Sequence, residues 1–173
     1  MMIHCSKKLA TKLHDVSSSA IEEASPLGSW HGHLLMLDRR QCVMFCHDST
    51  RYVLFLPGLR KPQFQDLGEG WFRPLYLATL AVLGCTTAQI KRVELALGRV
   101  RYDTMTDRSV QGSLRVATWD LEARLYHRVP NVMNLDPLAV SCRLNERPAT
   151  IYGKLVWPDR AMRALVEARA TTD

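Results

Sequence analysis

The residues best suited to do chemistry lie in one stretch, residues 106–113, with the sequence T-D-R-S-V-Q-G-S. A helix is predicted to begin here, and the first N–H groups of a helix have no partner within it. Those N–H groups, a guanidinium and hydroxyls could converge on an anion. The candidate anion-binding residues of this stretch are Arg108, Ser109, Gly112 and Ser113.

Gly112 strengthens that interpretation, because a glycine inside a helix costs about 1 kcal/mol relative to alanine. The cost indicates close approach of a ligand or of another backbone. The alternative for the whole stretch is a helix cap followed by tight packing of the helix on a sheet. The sequence leaves both interpretations open.

Two lysines form a second candidate, because Lys7 and Lys8 fall in the first turn of a helix predicted from the N-cap Ser6 to about residue 15. The helix dipole disfavours cations at this end. Either solvent screens the two side chains, or they meet an anion or an acidic partner together with the free N–H groups.

Arg39 and Arg40 form a third candidate at the tip of a predicted hairpin. They are either ordinary turn residues or, with Arg51, Arg60 and Lys61, a basic rim for phosphates. The functional hypothesis requires these distant cationic segments to fold together into one anion-receptive surface.

Four further side chains, His31, His33, Cys46 and Asp48, are predicted to share one face at one end of the hairpin. These residue types bind zinc, although a slip of one residue in the strand register would disperse them. We predict no metal and no other cofactor, with zinc at these four residues as the alternative.

The sequence contains none of the common nucleotide-binding, metalloprotease or hydrolase motifs, such as a P-loop or H-E-x-x-H. Cys46 and His47 are adjacent, which on a strand sends their side chains to opposite faces. Whether the chain is an enzyme is therefore left open.

Residues 30–58 must position these candidates. Their pattern predicts three strands, near 30–37, 41–47 and 51–56. With the first turn centred on Arg39 and Arg40, Leu37 faces Cys42. One face is predicted to carry Leu35, Leu37, Cys42, Met44, Leu54 and Leu56, and the other Leu34, Met36, Val43, Phe45, Val53 and Phe55. A sheet apolar on both faces must be covered on both.

Segments later in the sequence are predicted to form helices that cover both faces of the sheet. Helices are expected at about 71–83, 86–98, 110–127, 136–145 and 159–169. The predicted fold class is α+β, a small antiparallel β-meander sheet covered by five or six helices, in a single domain over residues 1–173.

Composition bounds the classes of function. The 173 residues carry a net charge of +6, which favours acidic partners, including nucleic acid. The longest apolar run, residues 75–85, has eleven residues, short of the ~20 that a membrane span needs. No signal peptide is recognised, so we expect a cytoplasmic protein, off the membrane, with its five cysteines as packed thiols.

Several motifs resemble a family of uncharacterised bacterial proteins, a domain of unknown function. Residues 5–9 are similar to its R-C-T-K-K-L opening, residues 38–42 to its D-R-R-K-C, and residues 108–114 to its R-S-V-L-G-S-M. L-G-S-W at 27–30, P-G at 57–58 and L-N at 144–145 followed by Pro148 also match in order. The chain departs from the family at Arg115-Val116, where N-D is usual, and at residues 31–33, where Y-A-N is usual.

Three functions remain as hypotheses. The first is a non-catalytic cytoplasmic protein that binds nucleic acid or an acidic protein, in a regulatory, toxin–antitoxin or phage-defence setting. The second is an enzyme acting on a nucleotide or phosphorylated substrate held by Arg108, Ser109 and Ser113. The third is a structural subunit of a protein complex. The oligomeric state is left open.

Overall fold

The computed structural model describes residues 1–125, 127 and 129–170. Their main sheet has six strands, ordered β2-β6-β1-β3-β4-β5. The strands are β1 (Met2–Cys5), β2 (Val16–Ser17), β3 (Trp30–Leu37), β4 (Arg40–His47), β5 (Val53–Leu59) and β6 (Arg101–Asp103).

The sheet is mixed, so the prediction of a small antiparallel meander is wrong for the sheet as a whole. β3, β4 and β5 form the predicted antiparallel meander. β1, however, pairs in parallel with both β3 and β6, and β2 pairs in parallel with β6. Parallel partners are distant in sequence and have no connecting turn between them to reveal the pairing.

The first hairpin closes one residue earlier than predicted. Its two-residue turn is Asp38-Arg39, with φ of 48° and 59°, and Leu37 pairs with Arg40 rather than with Cys42. Positive φ at both turn residues suits the twist of the flanking strands, and aspartate tolerates that conformation better than most residues. The register moves by two residues, so the predicted faces of β3 and β4 are retained.

In the second hairpin the predicted faces of β5 are inverted. Phe45 pairs with Leu54 and Met44 pairs with Phe55, because four residues, 48–51, lie between His47 and its hydrogen-bonded partner Tyr52. Paired residues share a face of the sheet, so Leu54 lies with Phe45 and Phe55 lies with Met44.

Seven α-helices cover the sheet within the described residues. They are α1 (Lys7–Ala10), α2 (Lys61–Gln65), α3 (Arg73–Val82), α4 (Thr87–Leu97), α5 (Arg108–Asp120), α6 (Pro137–Asn145) and α7 (Pro158–Ala170). π-helical segments, Leu67–Phe72 and Leu121–Leu125, precede α3 and follow α5, and a small hairpin pairs β7 (Ala149–Ile151) with β8 (Lys154–Val156). The N-caps of α4 and α6 are Thr86 and Asp136, since both side chains accept hydrogen bonds from the first turn of the helix.

The two faces of the sheet carry separate cores. The first core packs α1, α2, α3, α4 and α7 around Trp30, whose indole contacts the rings of Phe72 and Tyr76 at 5.0 and 5.1 Å between centroids. The second core packs α5 and α6 on Met44 and Phe55. Both faces are therefore buried, as the apolar meander predicts.

The edge strand β5 is closed by α6 side chains rather than by another strand. The Asn145 amide accepts from the N–H of Val53 and donates to its carbonyl, both at 2.7 Å, and the Ser141 hydroxyl accepts from the N–H of Phe55 at 3.0 Å. Unpaired strand edges invite aggregation, so these side chains protect the sheet. Among the described residues no helix has the length and apolarity to cross a membrane.

Candidate functional site

The candidate site begins where β6 ends and the chain enters α5. Asp107 is the N-cap, and its Oδ1 accepts from the N–H groups of Ser109 and Val110 at 2.8 and 3.0 Å. The cap was one of the two predicted interpretations of this stretch. Because Asp107 occupies these N–H groups, side chains rather than the helix backbone would have to bind an anion here.

Beyond its first turn, α5 forms one wall of a groove with a volume of about 350 Å³. Ser109, Gly112, Ser113 and Val116 line it, at the spacing that places residues on one face of a helix. The opposite wall consists of residues 147–150 and Pro158, and Arg51 lines the groove as well.

Gly112 opens onto this groove. A Cβ added at Gly112 would meet no described atom within 4 Å. The interpretation that Gly112 allows tight packing against a neighbouring element is therefore wrong. Of the two explanations for a glycine in this helix, close approach of a ligand is the one that the open space still allows.

Arg51 is a buried cation at the inner side of the groove, with 3% of its surface exposed. Its Nη2 donates to the Ser109 hydroxyl at 2.9 Å, and its Nη1 donates to the backbone carbonyl of Asp48. Its Nε has no hydrogen-bond partner among the described residues. None of the ion pairs found within those residues involves Arg51.

Such an arrangement is costly, because a buried charge loses several kcal/mol of hydration that no counter-charge restores. The backbone adds to the cost, since Arg51 has a φ of 58°, a conformation that costs a side-chain-bearing residue roughly 1–2 kcal/mol. An anion in the groove would supply the missing counter-charge.

Two further arginines line the groove. The Arg147 guanidinium lies 3.0 Å from the Asp120 carboxylate, and Arg115 lies 5.8 Å above the ring of Trp119. Within the described part of the chain, no aspartate or glutamate is among the lining residues. Three arginines therefore line the groove, and one of them, Arg147, is already paired with a carboxylate.

A buried histidine fixes the groove's inner end. The N–H of Asp107 donates to His31 Nε2 at 2.6 Å, so His31 carries its proton on Nδ1 and donates it to Asp48 Oδ1 at 2.7 Å. Burial alone would raise the pKa of Asp48, but the hydrogen bonds from His31 and Ser29 lower that pKa below its ordinary value. His31 thereby ties the start of α5 to the loop that holds Arg51.

A second histidine–carboxylate pair lies beside the first. His4 Nδ1 is 2.6 Å from Asp103 Oδ1, and the His4 and His31 rings are 4.9 Å apart. Sequence reasoning missed this pair, because only the parallel pairing of β1 with β3 and β6 places His4 between His31 and Asp103.

The zinc candidates are brought together only in part. His31 uses both ring nitrogens as described, and Cys46 is fully buried, which raises the pKa of its thiol to about 12. His33 is paired with Met44 and is exposed. In the described residues no three histidine, cysteine or carboxylate side chains are placed to hold a metal.

The remaining cationic candidates lie away from the groove. Lys7 and Lys8 belong to α1, whose Leu9 packs in the first core, on the face of the sheet opposite α5. Arg39 and Arg40 lie at the far end of the first hairpin, about 20 Å from the end that holds Arg51, at roughly 3.3 Å per residue. Arg108 is exposed one residue before Ser109. The structure thus places Ser109, Gly112 and Ser113 in one groove and separates the other candidates from it.

Comparison with known proteins gives one match. The sequence model of a protein family described as "Domain of unknown function (DUF6933)" matches residues 2–161. No curated protein sequence matches the chain, and no solved structure does.

Proposed function

The chain belongs to this family of domains of unknown function, and because the family's description names no activity, we propose from the geometry of the groove that the protein binds a phosphate-bearing ligand along α5. The observation that carries the proposal is the buried, unpaired guanidinium of Arg51 at the inner side of an open groove. Guanidinium is the side-chain group best matched to phosphate oxygens.

The other lining groups support the same ligand class. The Ser113 hydroxyl and the Ser109 hydroxyl lie on the wall next to Arg51, and hydroxyls donate to phosphate oxygens. Gly112 leaves room beside them. Arg115 adds positive charge to the groove, whereas the charge of Arg147 is balanced by Asp120.

The residues that line the groove support binding of the ligand without catalysis. Among the described groove residues there is no histidine, cysteine or carboxylate. Histidine and carboxylates are the usual general bases, and the groove serines would need such a base to act as nucleophiles. His31, the histidine that ties α5 to the loop of Arg51, has both ring nitrogens hydrogen-bonded. An enzyme acting on a phosphorylated substrate is the second candidate, and turnover of such a substrate would favour it.

Pyrophosphate binding tests the proposal, with two variants at one open position. Gly112→Glu places a negative charge in the groove, and Gly112→Gln places an uncharged side chain of the same size there. Neither displaces a described atom at Cβ. We expect pyrophosphate to raise the Tm of the wild-type protein, with apparent affinity at least about tenfold lower in Gly112→Glu than in Gly112→Gln.

The variant pair also separates binding from a general salt effect, because phosphate salts stabilise many proteins by exclusion from their surface. Equal rises in Tm in the wild-type protein and Gly112→Glu would mean exclusion only and would contradict the proposal.

A further inference from the structure

Exposed tryptophans flank both walls of the groove, each with an arginine over its ring. On α5, Trp119 is 60% exposed, and Arg115 lies 5.8 Å from the ring centroid. On the other wall, Trp157 directly precedes Pro158 and is 38% exposed, with Arg160 at 5.1 Å. Exposed indole rings offer flat apolar surfaces on which a planar ligand can stack.

The positions of the two rings relative to the residues proposed to bind phosphate decide which part of a ligand the rings would contact. Trp119 lies on the same side of α5 as Gly112 and Val116, two turns beyond Gly112. Trp157 adjoins the wall formed by residues 147–150 and Pro158. Two aromatic rings therefore lie on the elements that form the walls of a groove lined by three arginines.

We infer that the groove binds single-stranded nucleic acid, with backbone phosphates along Arg51, Ser113 and Arg147 and with bases stacked on Trp119 and Trp157. This inference rests on the proposed function and names its ligand class. Aromatic faces that receive bases, combined with a cationic groove that follows the backbone, are the two elements of single-strand recognition.

A single strand fits these observations better than a duplex, because base faces are free to stack on side chains only where the bases are not already stacked in a helix. It also fits better than a phosphorylated peptide. Such a peptide would use the arginines, but it would not use the exposed surface of the two indoles.

Fluorescence anisotropy with labelled oligonucleotides of about ten residues tests the inference. Single-stranded DNA and RNA, the corresponding duplexes, and a phosphoserine peptide as competitor would be compared. The variants are Trp119→Ala and Trp157→Ala. Trp71→Ala is the matched control, because Trp71 is 39% exposed and belongs to Leu67–Phe72, which packs in the first core on the opposite face of the sheet.

We expect single strands to bind more tightly than duplexes, and each groove variant to weaken single-strand binding about five- to 150-fold, the range for loss of one base stack. Trp71→Ala should bind as the wild-type protein does. Equal affinity for duplex, unchanged affinity in both groove variants, or displacement of the oligonucleotide by a lower concentration of the phosphoserine peptide would each overturn the inference.

The failure of this inference differs from the failure of the proposed function. If pyrophosphate still distinguishes Gly112→Gln from Gly112→Glu while Trp119 and Trp157 prove irrelevant, the phosphate site stands and only the ligand class is wrong. If neither pyrophosphate nor oligonucleotide binds, both are wrong.

Discussion

The two faces of the central sheet are built for different purposes. The first face is filled with aromatic side chains that contact one another, and Trp30 is in ring contact with His47, Phe72 and Tyr76. The second face has Phe55 as its one aromatic core residue in the described part of the chain, and charged groups are buried at its end. Arg51 and Asp103 belong to that charged end.

The difference separates stability from function. Aromatic packing supplies much of the stability of a core, whereas buried charges usually reduce it unless they are fully paired. A protein that retains a buried unpaired guanidinium on one face can do so because the other face is well packed. Changes to the first face should therefore alter stability alone, and changes to the second should alter binding.

The largest effect is expected from Trp30→Ala. Removing this fully buried indole leaves a cavity between β3 and α3, so the free energy of unfolding should fall by about 3–5 kcal/mol in urea denaturation. Trp30→Phe should lose less, because it keeps one ring. If Trp30→Ala stays folded, pyrophosphate should still raise its Tm. A loss of under about 1 kcal/mol would show that this face is not the stable one.

Acid should destabilise the same face through His47. Burial lowers the pKa of His47 to about 4, against an ordinary value of 6.5. Between those values the unfolded chain binds a proton at His47 that the folded protein does not. The contribution of the neutral His47 to stability is therefore fully present above pH 6.5 and falls as the pH drops towards 4.

The loss over this interval should be about 3 kcal/mol, since each pKa unit corresponds to 1.36 kcal/mol. Urea denaturation at a series of pH values measures it. Substituting His47 by glutamine should remove this part of the pH dependence, and an unchanged slope in that variant would assign it to another group.

On the second face, Arg51→Met should weaken pyrophosphate binding about 10- to 100-fold, which corresponds to the loss of a charge-assisted hydrogen bond. Its free energy of unfolding should change by no more than about 1 kcal/mol, because removal of a buried charge without an ion-pair partner offsets the lost hydrogen bonds to Ser109 and to the Asp48 carbonyl. Arg108→Met, at an exposed position nearby, is the control, with an effect of about twofold. Calorimetry would measure both, and equal losses would make the effect one of net charge alone.

The smallest changes in the free energy of unfolding are expected from alanine substitutions of two glycines, one on each face. Gly112→Ala should raise the free energy of unfolding by about 0.5–1 kcal/mol, because alanine favours a helix and its Cβ enters open space. Gly32→Ala should lower it by about 1–3 kcal/mol, because its Cβ would lie 2.8 Å from Leu9 Cδ2 in the first core. Chemical denaturation gives both signs. A loss in Gly112→Ala would mean that α5 is packed where the groove was placed.

Local patterns in the sequence were sufficient for part of this architecture. The beginnings of α4 and α6 agree with the helices predicted at about 86–98 and 136–145, because a helix start depends on a few neighbouring residues. Membership of a family of domains of unknown function is also confirmed, whereas its bacterial origin stays a prediction.

What could not be predicted depends on contacts between distant segments. The parallel pairing of β1 with β3 and β6 made the sheet mixed, and the length of the 48–51 loop decided which way β5 faces. The predictions for the site differ in the same way. Gly112 was singled out from its cost in a helix, whereas Arg51 was considered only as part of a basic rim with Arg39 and Arg40. Its burial follows from packing that only the assembled fold shows.

The most direct test of the account is the Arg51 Nε–H resonance in ¹⁵N–¹H spectra during a pyrophosphate titration. A buried, unpaired Nε–H at a phosphate site should shift progressively in the wild-type protein and stay unchanged in Gly112→Glu. If the resonance does not move in the wild-type protein at concentrations of pyrophosphate that raise its Tm, the groove along α5 is not where phosphate binds.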